Sequence, residues 1–438
     1  MAALLRLRWA KLHDGSLVRE SLKLAVAHKS KLAVKKLPPD FALEHFDAFY
    51  PRVFGATEWR SIRLALLSQK KYCAVINPFA ESSELHESMK NLGAERIVAA
   101  PPASKGYEEP EVNKAEIPKH IPMIEEQLPQ EFLDSSRVIK KGHSEPLLSF
   151  VPATEMVYQE DVVHEEDYFN FLKPEAEIMM KTHKPIPFPP LSVYVYPACC
   201  VWDFPPPQEN GTGIFNYYLM DAASLFPVMA LDIQEGDNFA DFCAAPGGKT
   251  LAVAFLEKTG SHLCTDESPS RVQRLRRSIT SYLPEELRKS IAVKHIDMTR
   301  MSDDILYDKI LVDVPCTNDR HSLFEEDNNI FRGTRIQERL HLPQTQSAIL
   351  KQALRKLRVG GALVYSTCSL SPIQNDSVVH MSVQSFKTMK FVVTNLGPSF
   401  EPLRTYFQLH KCRYGQLVLP YLPNNFGPMY ISRIDRIQ

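Results

Sequence analysis

Two cysteines follow the ends of two predicted strands, in local sequences that suit covalent chemistry. Cys316 closes the tetrapeptide DVPC, which begins at Asp313 and ends the predicted strand 309–314, and Cys368 follows the predicted strand 362–366. The carboxyl ends of neighbouring parallel strands share one edge of a sheet, so we expect the two thiols to lie close together. A thiolate is the form of cysteine that attacks carbon. The pair therefore predicts nucleophilic catalysis.

The stretch 241–250, which reads DFCAAPGGKT, predicts a strand, a tight turn and a helix start. Gly247 and Gly248 allow a ligand to approach the backbone closely, and the free N–H groups of a helix start favour electron-rich groups. The spacing matches neither the dinucleotide nor the P-loop motif. A second predicted strand is followed by Asp266, whose carboxylate is placed to accept hydrogen bonds from a ribose. We therefore predict a site for an adenosine cofactor without a long phosphate tail.

Strand and helix patterns alternate after residue 236, which predicts an α/β fold with a mostly parallel seven-stranded sheet and ligands at the strand ends. Ser268 and Pro269 predict a helix start. Residues 215–231 predict an amphipathic helix leading into this region, and the last strand, after Gly427, is predicted to form an antiparallel edge. The seven predicted strands are 238–242, 261–266, 291–297, 309–314, 362–366, 391–395 and 429–434.

The composition limits the class of protein. The chain has 438 residues, which suggests two or three domains, and a formal net charge of −1. A near-neutral pI of about 6.9 means that any RNA or DNA binding is local or shared with a partner. The eight cysteines include no CxxC pair, so neither a disulfide framework nor a metal site is expected. No apolar run approaches the roughly twenty residues that span a bilayer, which predicts a soluble protein.

The segments before the alternating region differ in composition. Residues 1–40 are basic and rich in leucine and alanine, which is typical of a mitochondrial transit peptide, although a solvated basic helix has the same composition. Residues 101–165 are rich in proline and glutamate and predict a linker or insertion. The predicted organisation is 1–40 transit peptide, 41–100 helical or mixed N-terminal region, 101–165 linker or insertion, 166–235 N-terminal part of the catalytic module and 236–438 catalytic domain.

A cysteine beside an acidic residue suits the chemistry of a pyrimidine carbon. Carbon 5 of cytosine becomes nucleophilic only after a thiolate adds to carbon 6. Asp313 is placed to assist by contacting N3 of the base. A base must afterwards remove the carbon 5 proton so that the thiol can leave. Because the cytosine must leave its stack, loops or opened duplexes are the expected substrates.

The segments DFCAAPGGKT, TDESPSR, DVPCTNDRHSL and YSTCSLSPIQND resemble the motifs of the Nop/Sun-domain RNA cytosine-5 methyltransferases, over roughly the last 230 residues. The resemblance implies a Rossmann-like fold and S-adenosylmethionine as methyl donor. The segments YYLMDAASLFPV, CTNDRHSLFEEDNNIF and NFGPMY are most similar to the mitochondrial branch that acts on small-subunit ribosomal RNA. That likeness implies a matrix protein with a role in ribosome assembly and an mTERF-like heterodimer partner.

The resemblance also assigns residues. It implies that Cys368 is the nucleophile, that Cys316 assists product release, and that Asp313 lies between cofactor and base; residue chemistry alone leaves the order of the two cysteines open. Met298 departs from the family, in which glycine is frequent after the adenine-facing aspartate. The residues that the resemblance places around the cofactor are Gly247, Gly248, Lys249, Asp266, Arg271, Asp297, Met298 and Asp313.

Two other functions fit the same sequence. One is a ribosome-assembly scaffold that delivers the mTERF-like partner and binds cofactor without relying on catalysis. The other keeps the methylation chemistry and changes the substrate to mitochondrial transfer RNA.

Overall fold

The computed structural model describes residues 36–97, 178–301 and 304–438, together with the short strands at 138–139 and 157–158. The predicted transit peptide lies outside the described residues except for its last positions, where the first helix begins. Most of the predicted linker, 101–165, also lies outside them.

The described elements alternate between strands and helices after residue 236. The strands are β1 (Cys73–Ile76), β2 (Glu95–Arg96), β3 (Val138–Ile139), β4 (Val157–Tyr158), β5 (Met180–Thr182), β6 (Val193–Val195), β7 (Tyr217–Met220), β8 (Asp237–Phe242), β9 (Thr259–Asp266), β10 (Ile291–His295), β11 (Tyr307–Asp313), β12 (Leu357–Thr367), β13 (Phe391–Asn395), β14 (Gln408–Lys411), β15 (Gln416–Leu419) and β16 (Met429–Arg436). The helices are α1 (Pro38–Phe54), α2 (Ala56–Leu67), α3 (Ser83–Asn91), α4 (Leu225–Leu231), α5 (Gly248–Ala254), α6 (Pro269–Tyr282), α7 (Glu285–Ser290), α8 (Asp319–Ser322), α9 (Ile336–Leu340), α10 (Leu342–Lys356), α11 (Asp376–Gln384) and α12 (Gly397–Phe400).

The main sheet has the order β10-β9-β8-β11-β12-β16-β13-β5, and β14 and β15 extend it beside β16. Strands β10, β9, β8, β11 and β12 are parallel. The predicted seven-stranded, mostly parallel core is therefore present, with three short strands added. The predicted antiparallel edge is wrong in position: β16 is antiparallel but pairs with β12 on one side and with β13 on the other. Its placement in the interior follows from continuous burial along β16.

A second, four-stranded sheet has the order β2-β6-β1-β7. It joins strands from the predicted segments 41–100 and 166–235. The predicted amphipathic helix at 215–231 is wrong, because this segment folds as strand β7, a short 3-10 turn and helix α4. All seven residues of α4 are buried, so its surface is apolar all round rather than on one side.

The apolar core lies on both faces of the main sheet. Helix α6 begins at Pro269, as predicted, and buries Val272, Leu275 and Ile279 at helical spacing. Helices α1 and α2 contribute buried aromatic side chains to the core on the other face of the sheet. Tyr50 packs at 5.1 Å from Trp59, measured between ring centroids. Phe46, Phe49, Tyr50 and Trp59 are therefore core residues.

Within the described ranges, none of the helices combines the length and the apolar character that a bilayer crossing requires. The same part of the chain contains no cluster of three or more His, Cys, Asp or Glu side chains arranged to hold a metal ion.

Candidate active site

The glycine turn connects β8 to α5. Gly247 adopts φ +112°, a backbone conformation that side chains disfavour, and a Cβ added there would lie 2.8 Å from Leu275 Cδ1. A Cβ added to Gly248 would lie 3.1 Å from the ring of Tyr218. The peptide bond between Ala245 and Pro246 is cis. The turn is therefore packed against α6 and against the second sheet; Gly247 requires glycine, whereas a side chain at Gly248 would require the Tyr218 ring to shift.

Asp266 and Arg271 fix the turn from the end of β9 and the start of α6. Asp266 is 1% exposed; its Oδ2 accepts a 3.3 Å hydrogen bond from the Ala245 N–H, and its Oδ1 accepts one of 3.0 Å from the Ser268 N–H. Arg271 Nη2 lies 3.2 Å from Asp266 Oδ2 and donates to the Ala245 carbonyl at 2.8 Å. Because each carboxylate oxygen has more than one lone pair, Asp266 can still accept from a ribose hydroxyl.

An open cleft of about 430 Å³ lies beside this pair. Four of the eight residues predicted to surround the cofactor line it, namely Asp266, Arg271, Asp297 and Met298, whereas Gly247, Gly248, Lys249 and Asp313 are not among its lining residues. Asp297 accepts hydrogen bonds from the N–H and the hydroxyl of Thr299, which holds the short turn after β10. Four further lining residues were not predicted from the sequence: Gln344, Thr345, Ala348 and Ile349 of α10.

Asp241, inside β8, is a site residue that sequence reasoning did not single out. It is 1% exposed, and burial raises the pKa of its carboxyl to about 7, although a hydrogen bond from Thr250 acts to lower it. Thr250 Oγ1 donates to Oδ2 at 2.6 Å, while Oδ1 has no hydrogen-bond partner in the described residues. An unpartnered acceptor beneath a glycine turn fits a cofactor that carries hydrogen-bond donors.

Lys249 and Asp313 connect the glycine turn to the end of β11. Lys249 Nζ donates a 2.7 Å hydrogen bond to Asp313 Oδ2, and Ser366 Oγ donates one of the same length to Oδ1. Burial acts to lower the pKa of Lys249, but the charge and the hydrogen bond of Asp313 outweigh it and leave the pKa raised. Lys249 is therefore held as an ammonium group beside the ends of β11 and β12.

Cys316 Sγ and Cys368 Sγ lie 3.2 Å apart. The two thiols therefore meet at adjacent strand ends, where the sequence places them. The pKa of Cys368 is raised well above its ordinary value, first by the hydrogen bond with Cys316 and then by burial, while the ammonium group of Lys249 acts to lower it. In this arrangement Cys368 is a thiol, and the positive charge of Lys249 favours its ionised form.

The buried carboxylate of Asp319 connects the loops that follow Cys316 and Cys368. Sequence analysis did not identify this residue. Asp319 is 0% exposed and accepts hydrogen bonds from the hydroxyl groups of Thr317 and Tyr50, each at 2.5 Å, and from the Leu370 N–H at 2.7 Å. The Asp319 N–H donates to the Cys368 carbonyl at 3.3 Å. Thr317 follows one cysteine, and Leu370 lies two residues after the other. The only sequence signal was an aspartate three positions after Cys316.

Solved structures share this fold. A methyltransferase homolog protein from Pyrococcus horikoshii matches with a TM-score of 0.50 and 18% identity over 92% of this chain and 99% of that one. NSun6 from Pyrococcus horikoshii, solved with SFG, matches with a TM-score of 0.50 and 18% identity over 89% and 97%. The parallel sheet and the glycine turn therefore belong to a Rossmann-like fold, which this chain shares with these solved structures.

Sequence relatives define the family more narrowly. Residues 228–434 match the model of the 16S rRNA methyltransferase RsmB/F family. The 5-cytosine rRNA methyltransferase nsun-4 of Caenorhabditis elegans is 33% identical over 94% of this chain and 96% of its own length. NSUN4 of Xenopus laevis, also a 5-cytosine rRNA methyltransferase, is 35% identical over 91% and 90%. The chain belongs to the RsmB/F family and is an RNA cytosine-5 methyltransferase, as its motifs predicted. Its methyl donor is S-adenosylmethionine.

Proposed function

We propose that this enzyme methylates carbon 5 of a cytosine in the small-subunit ribosomal RNA of mitochondria, through a covalent bond between Cys368 and the base. The observation that carries the mechanism is the 3.2 Å separation of the two sulfurs beside the Lys249–Asp313 pair. The choice of substrate is supported by relatives that act on ribosomal RNA and match nearly the whole chain.

The Cys368 thiol passes its proton to the Asp313 carboxylate, and its sulfur bonds to carbon 6 of the cytosine. Lys249, whose charge acts to lower the pKa of this thiol, favours that step. Asp313, at the end of β11, is then protonated and donates a hydrogen bond to N3 of the base, which stabilises the electron density released by the addition. S-Adenosylmethionine, when bound, supplies the methyl group that carbon 5 attacks. A base then removes the carbon 5 proton, the bond to sulfur breaks, and Cys316 assists this release.

The covalent bond can be tested by separating its formation from its release. In Cys316→Ser, a ribosomal RNA fragment with the target cytosine and S-adenosylmethionine should accumulate an RNA–protein adduct that survives a denaturing gel. Cys368→Ser and the double variant should give none. Cys199→Ser is the matched control, because this cysteine is exposed and follows β6 of the second sheet rather than β11 or β12. Adduct formation by Cys368→Ser, or methylation by that variant at the wild-type rate, would contradict the proposal.

A transfer RNA substrate is the second candidate. The mitochondrial tRNA (cytosine(34)-C(5))-methyltransferase of Danio rerio is 39% identical, but only over 53% of this chain and 64% of that protein. The full-length likeness therefore favours ribosomal RNA. Bisulfite sequencing of mitochondrial RNA, with and without this protein, distinguishes the substrates directly: the proposal requires loss of 5-methylcytosine from small-subunit ribosomal RNA.

A role in mitochondrial ribosome assembly, with an mTERF-like partner in the matrix, is supported by the resemblance of its less usual segments to the mitochondrial branch of the family. Cells whose only copy of this protein is the Cys368→Ala variant test whether ribosome assembly depends on methylation. If small subunits assemble normally while the methyl mark is lost, delivery of the partner is the dominant task. If assembly fails together with methylation, catalysis is required.

A further inference from the structure

Exposed basic side chains flank the terminal strand β10 outside the catalytic cleft: arginines on the outer face of α6, which covers one side of β10, and Lys294 on the other side of the strand. Helix α6 has the sequence PSRVQRLRRSITSY, with four arginines and no acidic residue, and β10 has the sequence IAVKH, with a lysine and a histidine. Strand β10 is the terminal strand of its sheet and pairs only with β9 among the described strands. This concentration of positive charge contrasts with a formal net charge of −1 for the whole chain.

Three of these cations have no internal role. Arg274, Arg277 and Lys294 are exposed, and none has an ion-pair partner within the described part of the chain. The other cations are engaged: Arg271 pairs with Asp266, and Arg276 Nη2 donates to the Val293 carbonyl at 3.2 Å. The name basic edge is used below for Arg274, Arg277 and Lys294.

The arginines of the basic edge lie on a helix that is fixed in place, and their charges repel each other. Arg274 and Arg277 are three positions apart on one helix, so their side chains are neighbours and their charges repel. The helix beneath them is fixed to the cofactor turn, because Ser278 Oγ donates to the Pro246 carbonyl at 2.9 Å. The nearby carboxylate of Glu285 is already paired with Lys289 at 3.0 Å. An anionic ligand would remove this uncompensated repulsion.

We infer that the basic edge binds the phosphate backbone of the substrate RNA outside the reacting nucleotide. The inference rests on the proposed function, because an RNA whose cytosine reaches Cys368 brings its own flanking phosphates to this rim. Arg271, on the first turn of the same helix, lines the cofactor cleft, so α6 connects that cleft to Arg274 and Arg277. Since the chain is nearly neutral overall, its RNA affinity must come from such local patches. The surface supplies affinity and orientation and takes no part in the chemistry.

Salt dependence of binding gives the sharpest test. The full chain and the triple variant Arg274→Gln/Arg277→Gln/Lys294→Gln would be titrated against a fluorescent stem-loop of ribosomal RNA at several KCl concentrations. Each phosphate contact contributes about 0.7 to the slope of log Kd against log[salt] for single strands, so the triple variant should lose about 2. Its affinity at about 0.1 M KCl should fall by between about tenfold and a hundredfold. Its kcat at saturating RNA should equal that of the wild type.

Two controls separate this effect from net charge and from folding. Arg355→Gln/Lys387→Gln/Lys390→Gln removes the same charge from exposed side chains that precede β12 and β13, which β9, β8 and β11 separate from β10, and should keep the wild-type slope. Arg274→Lys/Arg277→Lys keeps the charge and should also keep it. An unchanged slope in the first triple variant, or an equal loss in the control triple, would overturn the inference and leave an acidic protein as the ligand to examine. Methylation by the wild type is scored separately, so failure of the proposed function is visible on its own.

Discussion

Tyr50 on helix α1 donates a 2.5 Å hydrogen bond to Asp319 Oδ2, although the two residues are 269 positions apart in the chain. Asp319 also accepts hydrogen bonds from residues that follow Cys316 and Cys368. The hydroxyl group of Tyr50 thus takes part in the same network as the two thiols. The N-terminal helix is therefore part of the support for the catalytic loops.

Tyr50→Phe should lower both stability and activity. The substitution keeps the aromatic packing of α1 and removes one donor from a carboxylate that is fully buried, which costs about 1–3 kcal/mol of unfolding free energy. We expect kcat to fall by about tenfold, because the relative position of the two thiols loosens. Urea unfolding and single-turnover methylation measure the two effects. Tyr421→Phe, at an exposed ring, should change neither; wild-type kcat in Tyr50→Phe would show that the network is not needed for catalysis.

Lys249→Met should reduce kcat by between about tenfold and a hundredfold, because the Asp313 carboxylate loses its cation and the Cys368 thiol loses the charge that lowers its pKa. Lys249→Arg preserves the charge and should lose less. The pH dependence of adduct formation gives the independent reading: the apparent pKa of the nucleophile should rise in Lys249→Met. If the pH profile of that variant matches the wild type, Lys249 does not act on Cys368.

Gly247→Ala should weaken cofactor binding by about tenfold and lower stability by about 1–3 kcal/mol, since φ +112° is strained for alanine and its Cβ meets Leu275. Isothermal titration with S-adenosylmethionine and thermal unfolding measure these effects. Gly333→Ala is the matched control, because no atom lies within 4 Å of the added Cβ and φ is not positive there. Equal behaviour of the two variants would mean that the turn does not need a glycine.

Asp241→Asn should flatten the dependence of stability on pH in the absence of cofactor. The folded carboxyl keeps its proton up to about pH 7, whereas an unfolded aspartate releases it near pH ~3.9. Its stabilising contribution is therefore complete below that lower pH and is lost as the pH rises through about 7. Asparagine does not titrate, so the variant should lose less stability than the wild type between about pH 5 and about pH 8. Equal losses in urea unfolding would show that the carboxyl is ionised throughout.

Short sequence patterns predicted the features at the strand ends of the main sheet, because each of these features is formed by residues close together in the sequence. The glycine turn, Asp266 after its strand and the two cysteines at strand ends each depend on fewer than about ten consecutive residues, and parallel strands bring their ends together by geometry. The roles of these residues in the reaction remain predictions until the variants are measured.

The errors have one physical origin, which is pairing between distant parts of the chain. Arg433 and Asp435 give β16 the polar look of an edge strand, yet each is 5% exposed and they form a 3.1 Å ion pair inside the sheet. The residues that α10 adds to the cofactor cleft and the hydrogen bond from Tyr50 to Asp319 likewise join distant segments, and neither segment's sequence predicts the other as its partner. Propensity and periodicity describe single elements, so they carry no information on such partners.

The contact between the two sulfurs also determines when the enzyme is reactive. A thiol whose proton is retained is a poor target for peroxide and for small alkylating agents, which react with the thiolate. Because the hydrogen bond with Cys316 and burial raise its pKa, Cys368 retains its proton, and reagents that require a thiolate should react with it slowly until the charges around it change.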